Sequence, residues 1–343
     1  MQGLFSYSAV TTKMRAMEGR LLKPQEYEEM AALGSVAEVV EYLKRYPSYQ
    51  KLFSLENFDI HRGKVEALFQ RAIYADFTKI YRFSGLEQRR FLDIYYIRYE
   101  IAVLKNCLRM LFNQYEAALD LAEFQAFFEK RSELDVEKLG NSKSIPEFVE
   151  NLQGSIFYSV LKRLENAPDA TLFDYENALN LFYMKRMWKA YEKVMKKRDW
   201  QIISEVYGSE IELLNLQWIY RAKKYYHMTP ADIYAFIVPI HYKIHKELFK
   251  KIVTAETVEE MGELLKTCYY ARFREELDTS SIEVMYKELI EKIHDISGRK
   301  YPYSIICIEN YLYKKTKEVD RLTTLIECVR YGLSIEETKK YIA

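Results

Sequence analysis

Metal binding is the most specific chemistry that the polar residues of this chain could carry out. His241 and His245 lie four residues apart on one face of a predicted helix, with Glu247 nearby, as two metal-binding imidazoles would. A zinc-dependent hydrolase needs a glutamate directly after the first histidine to act as the base, and Tyr242 occupies that position. No other histidine or cysteine cluster in the sequence supplies a third ligand. We therefore predict an ordinary polar helix face here and no metal site.

Signatures of nucleotide binding and of nucleophilic catalysis are missing from the sequence. Neither a GxxxxGK loop followed by Ser or Thr nor GxGxxG occurs, and no GxSxG elbow presents a serine. We interpret the pair Glu275 and Glu276 as surface charge and His227 as a loop residue. The prediction is a chain with no catalytic residue, no cofactor and no small-molecule substrate. A helical enzyme of an unrecognised kind stays open, and a pocket with convergent polar groups would reveal it.

A basic run stands out against a balanced total charge. The run consists of Lys193, Lys196, Lys197 and Arg198, at the end of a helix predicted over Asp174–Lys197. Cations are stabilised at a helix C-terminus, which explains the run without a ligand. With 51 Lys+Arg against 50 Asp+Glu, the chain has no global field that would attract nucleic acid or an anionic membrane. We predict no nucleic-acid partner, and partners recognised by shape and local patches.

Composition favours a fold made only of helices. The 343 residues include 11 glycines and 7 prolines, too few turn residues for a protein of many short strands. Long segments such as Asp174–Lys197 and Pro302–Arg330 contain no internal glycine or proline. The predicted fold class is therefore all-α.

Cysteine use and apolar patterning bear on where the chain works. The four cysteines are scattered, with no CxxC pair: Cys107, Cys268, Cys307 and Cys328. Such spacing is typical of free thiols in a reducing cytoplasm. The start of the sequence lacks a signal peptide pattern, and the best apolar stretch, Ile233 to Ile240, is far shorter than the roughly 20 residues that span a bilayer. We expect a chain without a transmembrane segment or signal peptide.

Two markers recur along the chain with one period. The first is Glu-h-x-x-Leu-x-x-x-h, with h a large apolar residue, and it begins at Glu100, Glu212 and Glu318. Offsets of one, four and eight place the apolar members on one helical face, with the glutamate beside them. This marker recurs after 112 and 106 residues. Each copy predicts a long helix with a glutamate at the edge of its buried face.

The second marker has the form of a helix capping box. It begins at Ser35, Ser144 and Thr257, and it recurs after 109 and 113 residues. Two markers with a shared period of about 110 residues predict three pseudo-repeated helical domains, each large enough for its own core. The segment from Leu333 echoes the one from Met228 and would form a C-terminal cap. The predicted domains are residues 1–115, 116–228 and 229–343.

Several segments together resemble a known family. They are Tyr7, Arg15, Glu18, Leu21–Leu22 and Tyr27 near the start, Glu212–Leu216, Ile219–Arg221 and Thr229–Ile233 in the middle, and Glu318, Arg330–Ser334 and Glu337 near the end. In order and spacing they resemble the C subunit of V-type/A-type ATP synthases, called the d subunit in eukaryotic V-ATPases. The resemblance runs from Tyr7 to Ile342.

The resemblance implies a non-catalytic rotor subunit. Members of that family are all-helical, with three similar domains arranged as a funnel, and they have no active site. They lie peripherally on the cytoplasmic face of the membrane proteolipid ring and receive the central shaft of the D and F subunits. The membrane stator subunit is a further partner that the resemblance allows. The implied function is to couple ATP hydrolysis or synthesis to proton or sodium transport.

One alternative of another class remains open. An all-helical protein-interaction scaffold, unrelated to ion transport, would also be a charge-balanced repeat protein. Known helical solenoids repeat every 20–50 residues, however, which is much shorter than the period found here.

Overall fold

The computed structural model describes residues 2–54, 62–113, 122–165, 167, 170–273 and 282–342. Within these ranges all regular secondary structure is helical and no strand occurs, which confirms the predicted all-α class. The pair Glu275 and Glu276 and the predicted domain boundary near residue 115 lie outside the described residues.

Shorter helices precede a pair of long ones three times along the described chain. The first set comprises α1 (Gln2–Glu18), α2 (Pro24–Ala31), α3 (Val36–Leu43), α4 (Pro47–Phe53), α5 (Arg62–Phe83) and α6 (Leu86–Asn113). The second comprises α7 (Ala122–Phe128), α8 (Val136–Gly140), α9 (Ile145–Glu150), α10 (Tyr158–Glu165), α11 (Leu172–Val194) and α12 (Lys197–Tyr226). The third comprises α13 (Pro230–Phe236), α14 (Lys246–Thr254), α15 (Val258–Leu265), a 3₁₀ helix (Tyr269–Phe273), α16 (Ile282–Lys300) and α17 (Ile306–Arg330), and α18 (Ile335–Ile342) follows.

The three predicted capping boxes are present at the starts of α3, α9 and α15. The hydroxyls of Ser35, Ser144 and Thr257 accept the N–H of the residue three positions on, at 3.3, 3.3 and 3.1 Å. The glutamate at that third position accepts the N–H of the residue before the cap, at 3.0, 2.9 and 2.8 Å. Each box therefore satisfies two N–H groups that a helix start leaves free, and a cap of this kind contributes about 1 kcal/mol.

The echo between the segments from Met228 and from Leu333 is also visible in the structure. α12 ends at His227 and α17 is followed by Gly332, and both residues have left-handed backbone, with φ of 48° and 66°. A left-handed residue is a common way to end a helix. α13 then starts at a box formed by Thr229 and Asp232, and a serine at position 334 makes the same bonds before α18.

The chain forms two compact units. The first consists of Met1–Gln88 together with Tyr301–Ala343, and the second of Arg89–Lys300. In the first unit α17 packs against α1, α2, α3, α5 and α18, so the two ends of the chain share one core. The division into three domains, with boundaries near residues 115 and 228, stays a prediction.

The core of the second unit is built on α12, which packs against α11, α15 and α16. The ring of Tyr191 stacks between those of Phe91 and Tyr207, with centroids 5.1 and 5.5 Å apart. Gly208 lies opposite Tyr242, and a Cβ atom at position 208 would come within 2.5 Å of that ring. A glycine is needed here because any side chain would push the segment around Tyr242 off α12.

Two helix predictions are wrong in their bounds. The helix expected over Thr229–Ile252 is interrupted, because α13 ends at Phe236 and α14 begins at Lys246. We call residues 237–245 the connecting segment; Pro239 lacks an N–H for a helical bond, and the backbone beyond it bonds to a side chain of α12 instead.

The helix expected to end at Lys197 ends at Val194, and α12 begins at Lys197 with Lys196 as its N-cap residue. Lys193 alone therefore lies at a helix C-terminus. The explanation of the basic run by a favourable helix dipole is wrong for its other three members.

Replacing Gly208 tests the close approach of the connecting segment. Gly208→Ala should destabilise the protein by about 1–3 kcal/mol, because overpacking outweighs the roughly 1 kcal/mol gain in helix propensity. Urea unfolding of the variant measures this change. Adding Tyr242→Leu should recover part of the loss, since it removes the ring that the new methyl group meets. A single variant as stable as the wild type would contradict this packing.

Candidate functional site

The glutamates of the recurring marker are buried in all three copies. Glu100 on α6, Glu212 on α12 and Glu318 on α17 are 7, 0 and 4% exposed. We call them the signature glutamates. A buried carboxylate is costly unless hydrogen-bond donors surround it, so the partners of each one determine what it does.

Glu212 binds the connecting segment through its backbone. Its carboxylate accepts the N–H groups of Tyr242, Lys243 and Ile244 at 2.5, 2.8 and 2.9 Å. It also accepts the hydroxyl of Tyr270 at 2.7 Å. Burial, and next the charge of Glu212, raise the pKa of Tyr270, so this phenol remains a donor. These four bonds hold nine residues of non-helical chain against α12.

Asn215 completes the attachment about one turn further along α12. Its amide nitrogen donates to the carbonyl of Val238 at 2.8 Å, and its amide oxygen accepts the N–H of Val238 at 2.9 Å. Both groups are buried, so each satisfies the other. The connecting segment is therefore fixed at both of its ends by side chains of one helix.

Glu318 has corresponding partners in the first unit. It accepts the N–H of Leu22 at 2.6 Å and the hydroxyl of Tyr49 at 2.6 Å. Leu22 lies two residues before α2, just as Ile244 lies two residues before α14. The two glutamates thus bind the same elements, a backbone N–H ahead of a short helix and a tyrosine hydroxyl.

A buried lysine adds positive charge beside Glu318. Lys315 is 1% exposed, and it donates to Glu318 at 2.6 Å and to the oxygen of Tyr49 at 3.0 Å. Its Nζ also lies 4.0 Å from a carboxylate oxygen of Asp76, which accepts the hydroxyl of Tyr311 at 2.6 Å. One buried cation between two carboxylates makes this network dependent on all of its members.

Glu100 has fewer donors than the other two. It accepts a hydrogen bond from the hydroxyl of Ser132, which in turn accepts the N–H of Leu134 at 3.1 Å. Leu134 lies two residues before α8, the position that Leu22 and Ile244 occupy in their copies. In this copy the serine stands between the carboxylate and the backbone.

The tyrosine donor is also missing from the Glu100 copy. Tyr49 and Tyr270 follow their capping boxes at 14 and 13 residues, which corresponds to Tyr158 and Phe157. Tyr158 donates to Glu150 at 3.4 Å, and Phe157 has no hydroxyl. Among the residues that the structure describes, no tyrosine hydroxyl donates to Glu100.

Burial sets the titration of Glu100. It raises the pKa of this carboxyl to about 7, with the charge of Glu133 acting in the same direction. The hydrogen bond from Ser132 and the charge of Arg186 on α11 lower it, without offsetting burial. Glu100 therefore changes its charge near neutral pH.

A cleft of about 340 Å³ lies beside this copy. Its lining residues are Gln125, Phe128, Glu129 and residues 132–137. Glu129, Glu133, Asp135 and Glu137 make it acidic, and no histidine, lysine or cysteine lines it. Convergent polar groups are thus present, but the lining pairs no nucleophile with a base.

The histidines of the possible metal site are not on a helix. His241 lies in the connecting segment with its ring 4.8 Å from that of Phe249, and His245 is the N-cap residue of α14. Within the described ranges no group of three or more His, Cys, Asp or Glu is placed to hold a metal ion. The absence of a metal site stays a prediction.

The cysteines are free, as their spacing predicts. Burial raises the pKa of Cys107 to about 12 and that of Cys307 to about 11, so these thiols stay protonated. Among the described residues, no helix is long and apolar enough to cross a membrane.

Sequence reasoning found the signature glutamates and missed their partners. Tyr49, Tyr270 and Lys315 were not singled out, although each is fully buried and polar. The usable signal was a tyrosine 13 or 14 residues after a capping box, which 30 tyrosines in the chain conceal.

Replacing Glu212 tests the attachment of the connecting segment. Glu212→Gln should lower the free energy of unfolding by about 3 kcal/mol, because an amide puts N–H donors against buried N–H donors. Glu192→Gln, at an exposed position of α11, is the control and should change it by less than about 0.5 kcal/mol. Urea unfolding at neutral pH measures both; equal stabilities would refute the role given to Glu212.

The same substitution at Glu100 should have the opposite effect. The folded pKa of about 7 exceeds the ordinary value of 4.5, so the wild-type protein loses stability as the pH rises from 4.5 through 7. Glu100→Gln removes this loss and should be more stable above pH 7, by about 3 kcal/mol at most. The difference should vanish below pH 4.5. Unfolding curves across this range measure it, and a difference independent of pH would contradict the assignment.

Comparison with known proteins agrees with the resemblance in the sequence. A family model described as ATP synthase (C/AC39) subunit matches residues 10–341. The chain is 24% identical to the C subunit of the A-type ATP synthase of Methanocaldococcus jannaschii, over 99% of this chain and 86% of that protein. It is 23% identical to the protein of the same name from Pyrococcus abyssi, over 98% of this chain and 90% of that one. For Methanosarcina mazei the values are 22%, 98% and 93%.

The family match and the relatives thus extend over nearly the full chain, and they disfavour a scaffold unrelated to ATP synthases. The all-α fold and the three buried signature glutamates belong to a sequence that this family model describes from end to end. The protein therefore belongs to the ATP synthase (C/AC39) subunit family.

Proposed function

We propose that this chain is a non-catalytic central-rotor subunit of a V-type/A-type ATPase or ATP synthase. It would join the shaft of the D and F subunits to the membrane proteolipid ring, so that ATP hydrolysis or synthesis is linked to proton or sodium transport. It would lie on the cytoplasmic side of the membrane as a peripheral subunit, with the membrane stator subunit as a further neighbour. Family membership is what supports this proposal first.

The network around Glu318 is the structural observation that carries the proposal. It attaches α17, near the end of the chain, to Leu22 and Tyr49, near its start. A part that transmits torque must not let its segments slide past one another. Short bonds to buried charged groups resist sliding better than apolar contacts, because they are directional and costly to leave unmade.

The chemistry of the remaining residues agrees with a coupling role. The acidic cleft beside Glu100 lacks a paired nucleophile and base, and the sequence lacks a phosphate-binding loop. The function proposed here therefore assigns ATP chemistry to other subunits. The arrangement of three domains as a funnel, with boundaries near residues 115 and 228, is part of the same proposal.

Omitting the chain from a reassembled complex tests the proposal. Without it, the head should still hydrolyse ATP while ATP-driven ion uptake into vesicles falls to background, because nothing connects shaft and ring. Adding back the wild-type chain should restore uptake without raising hydrolysis. Both rates are measured on the same vesicles.

Normal ion uptake in the absence of the chain would overturn the coupling role. In that case an interaction scaffold becomes the better interpretation, and purification of the chain from detergent-solubilised membranes should recover unrelated soluble proteins instead of ring and shaft subunits.

A further inference from the structure

The turn between α11 and α12 carries more positive charge than any described feature of the fold requires. We call it the basic turn, and its members are Lys193, Lys196, Lys197 and Arg198. All four side chains are exposed. Lys193 lies in the last turn of α11, Lys196 is the N-cap residue of α12, and the other two open that helix.

The charges on the α12 side oppose the dipole of their own helix. A helix N-terminus carries a partial positive charge and favours anionic side chains. Other helices of this protein follow that rule, with acidic residues in the first turn: Glu38 in α3, Asp174 in α11, Asp232 in α13 and Glu260 in α15. α12 has one acidic residue in its first turn, Asp199, preceded by three basic ones.

Interactions within the protein do not account for this charge. Across the described residues, Lys193, Lys197 and Arg198 make no ion pair and donate no hydrogen bond to a side chain or carbonyl. Four like charges at one turn repel each other, at a cost to stability. A sequence that breaks a local rule without an internal gain commonly does so for a function.

The residue types point to a surface of many phosphate groups. Lysine is a flexible point charge that suits phosphates without a fixed arrangement, whereas arginine forks suit defined partners. Clusters of four to eight Lys or Arg are typical of segments that bind anionic lipids. The turn between α5 and α6, in the first unit, has a related character: Arg82 is exposed, with Phe83 and Leu86 47 and 68% exposed beside it. Cations next to exposed apolar groups are typical of membrane interfaces.

We propose that the basic turn binds the phosphate headgroups of an anionic membrane surface. The inference rests on the proposed function in one respect, since a subunit that works against a membrane ring has lipid headgroups close by. It adds a lipid contact that the protein partners named above do not supply. The balanced total charge does not prevent this, because headgroups respond to charge within about 10 Å at 0.1 M salt.

Vesicle binding by the full-length chain tests the proposal. The protein should co-sediment with vesicles that contain phosphatidylglycerol and remain in solution with vesicles of phosphatidylcholine alone. Raising the salt from 0.1 to 1 M should release it, since the screening length falls from about 10 to 3 Å. Equal binding to both kinds of vesicle, or binding that resists salt, would overturn the proposal.

A charge-reversal variant locates the contact. K196E/K197E/R198E should weaken partitioning into phosphatidylglycerol vesicles by about 100-fold or more, at about fivefold for each charge removed. Its thermal midpoint should not fall, because glutamates suit the N-terminus of α12. A lost contact is thereby separated from a lost fold.

The matched control is K246E/K250E/K251E, which reverses three exposed charges on α14 in the same unit. This control has the same net charge and should keep most of the binding. Equal loss in both variants would mean that total charge alone matters, which refutes a specific contact. Binding to polyglutamate but not to phosphatidylglycerol vesicles would refute the lipid assignment in favour of an acidic protein partner.

Failure of this inference differs from failure of the proposed function. If vesicle binding is absent while the reassembled complex couples ATP hydrolysis to ion uptake, only the lipid contact is lost. If vesicle binding is present while ions are pumped without the chain, only the coupling role is lost.

Discussion

A carboxylate placed in an apolar core must find hydrogen-bond donors, and much of this structure follows from that requirement. Glu212 is fully buried and takes its donors from backbone N–H groups 30 to 32 residues further along the chain. Those N–H groups are then unavailable for a helix, so the connecting segment is irregular. Its close approach in turn requires Gly208 on α12, where a side chain would meet the ring of Tyr242. One buried charge thereby determines a break between helices, a glycine and the path of nine residues.

The same requirement is met in different ways at the other signature glutamates. Glu318 has the backbone N–H and the tyrosine, and Lys315 adds a buried cation, so the ends of the chain are held together by a fully satisfied network. Glu100 has a serine in place of direct backbone contact and no tyrosine. Because fewer donors stabilise its charged form, burial dominates and its pKa rises towards neutrality. One helical marker therefore supports two rigid attachments and one whose strength depends on pH.

A coupling role makes physical sense of where the charges lie. Inside the units, charges are buried and paired, which favours stiffness over reactivity. At the basic turn, charges are exposed and opposed to the dipole of α12, which favours contact with something outside the chain. A net charge of +1 conceals this contrast, because it sums charges that act at different places.

Local patterns in the sequence determined the fold class, the capping boxes and the buried position of the signature glutamates. These features depend on residues three to eight positions apart, and such neighbours meet whatever the rest of the chain does. The segments that carry the family resemblance also extend along the whole chain, so the family could be recognised without coordinates. Only the tertiary structure decided that the helix expected over Thr229–Ile252 breaks, because its competing partner is Glu212, on a different helix. It also decided that Tyr49 reaches Glu318 across 269 residues, and that three of the four charges in the basic turn belong to the start of α12. Contacts between distant segments, and the end of one helix against the start of the next, depend on packing that no local spacing encodes.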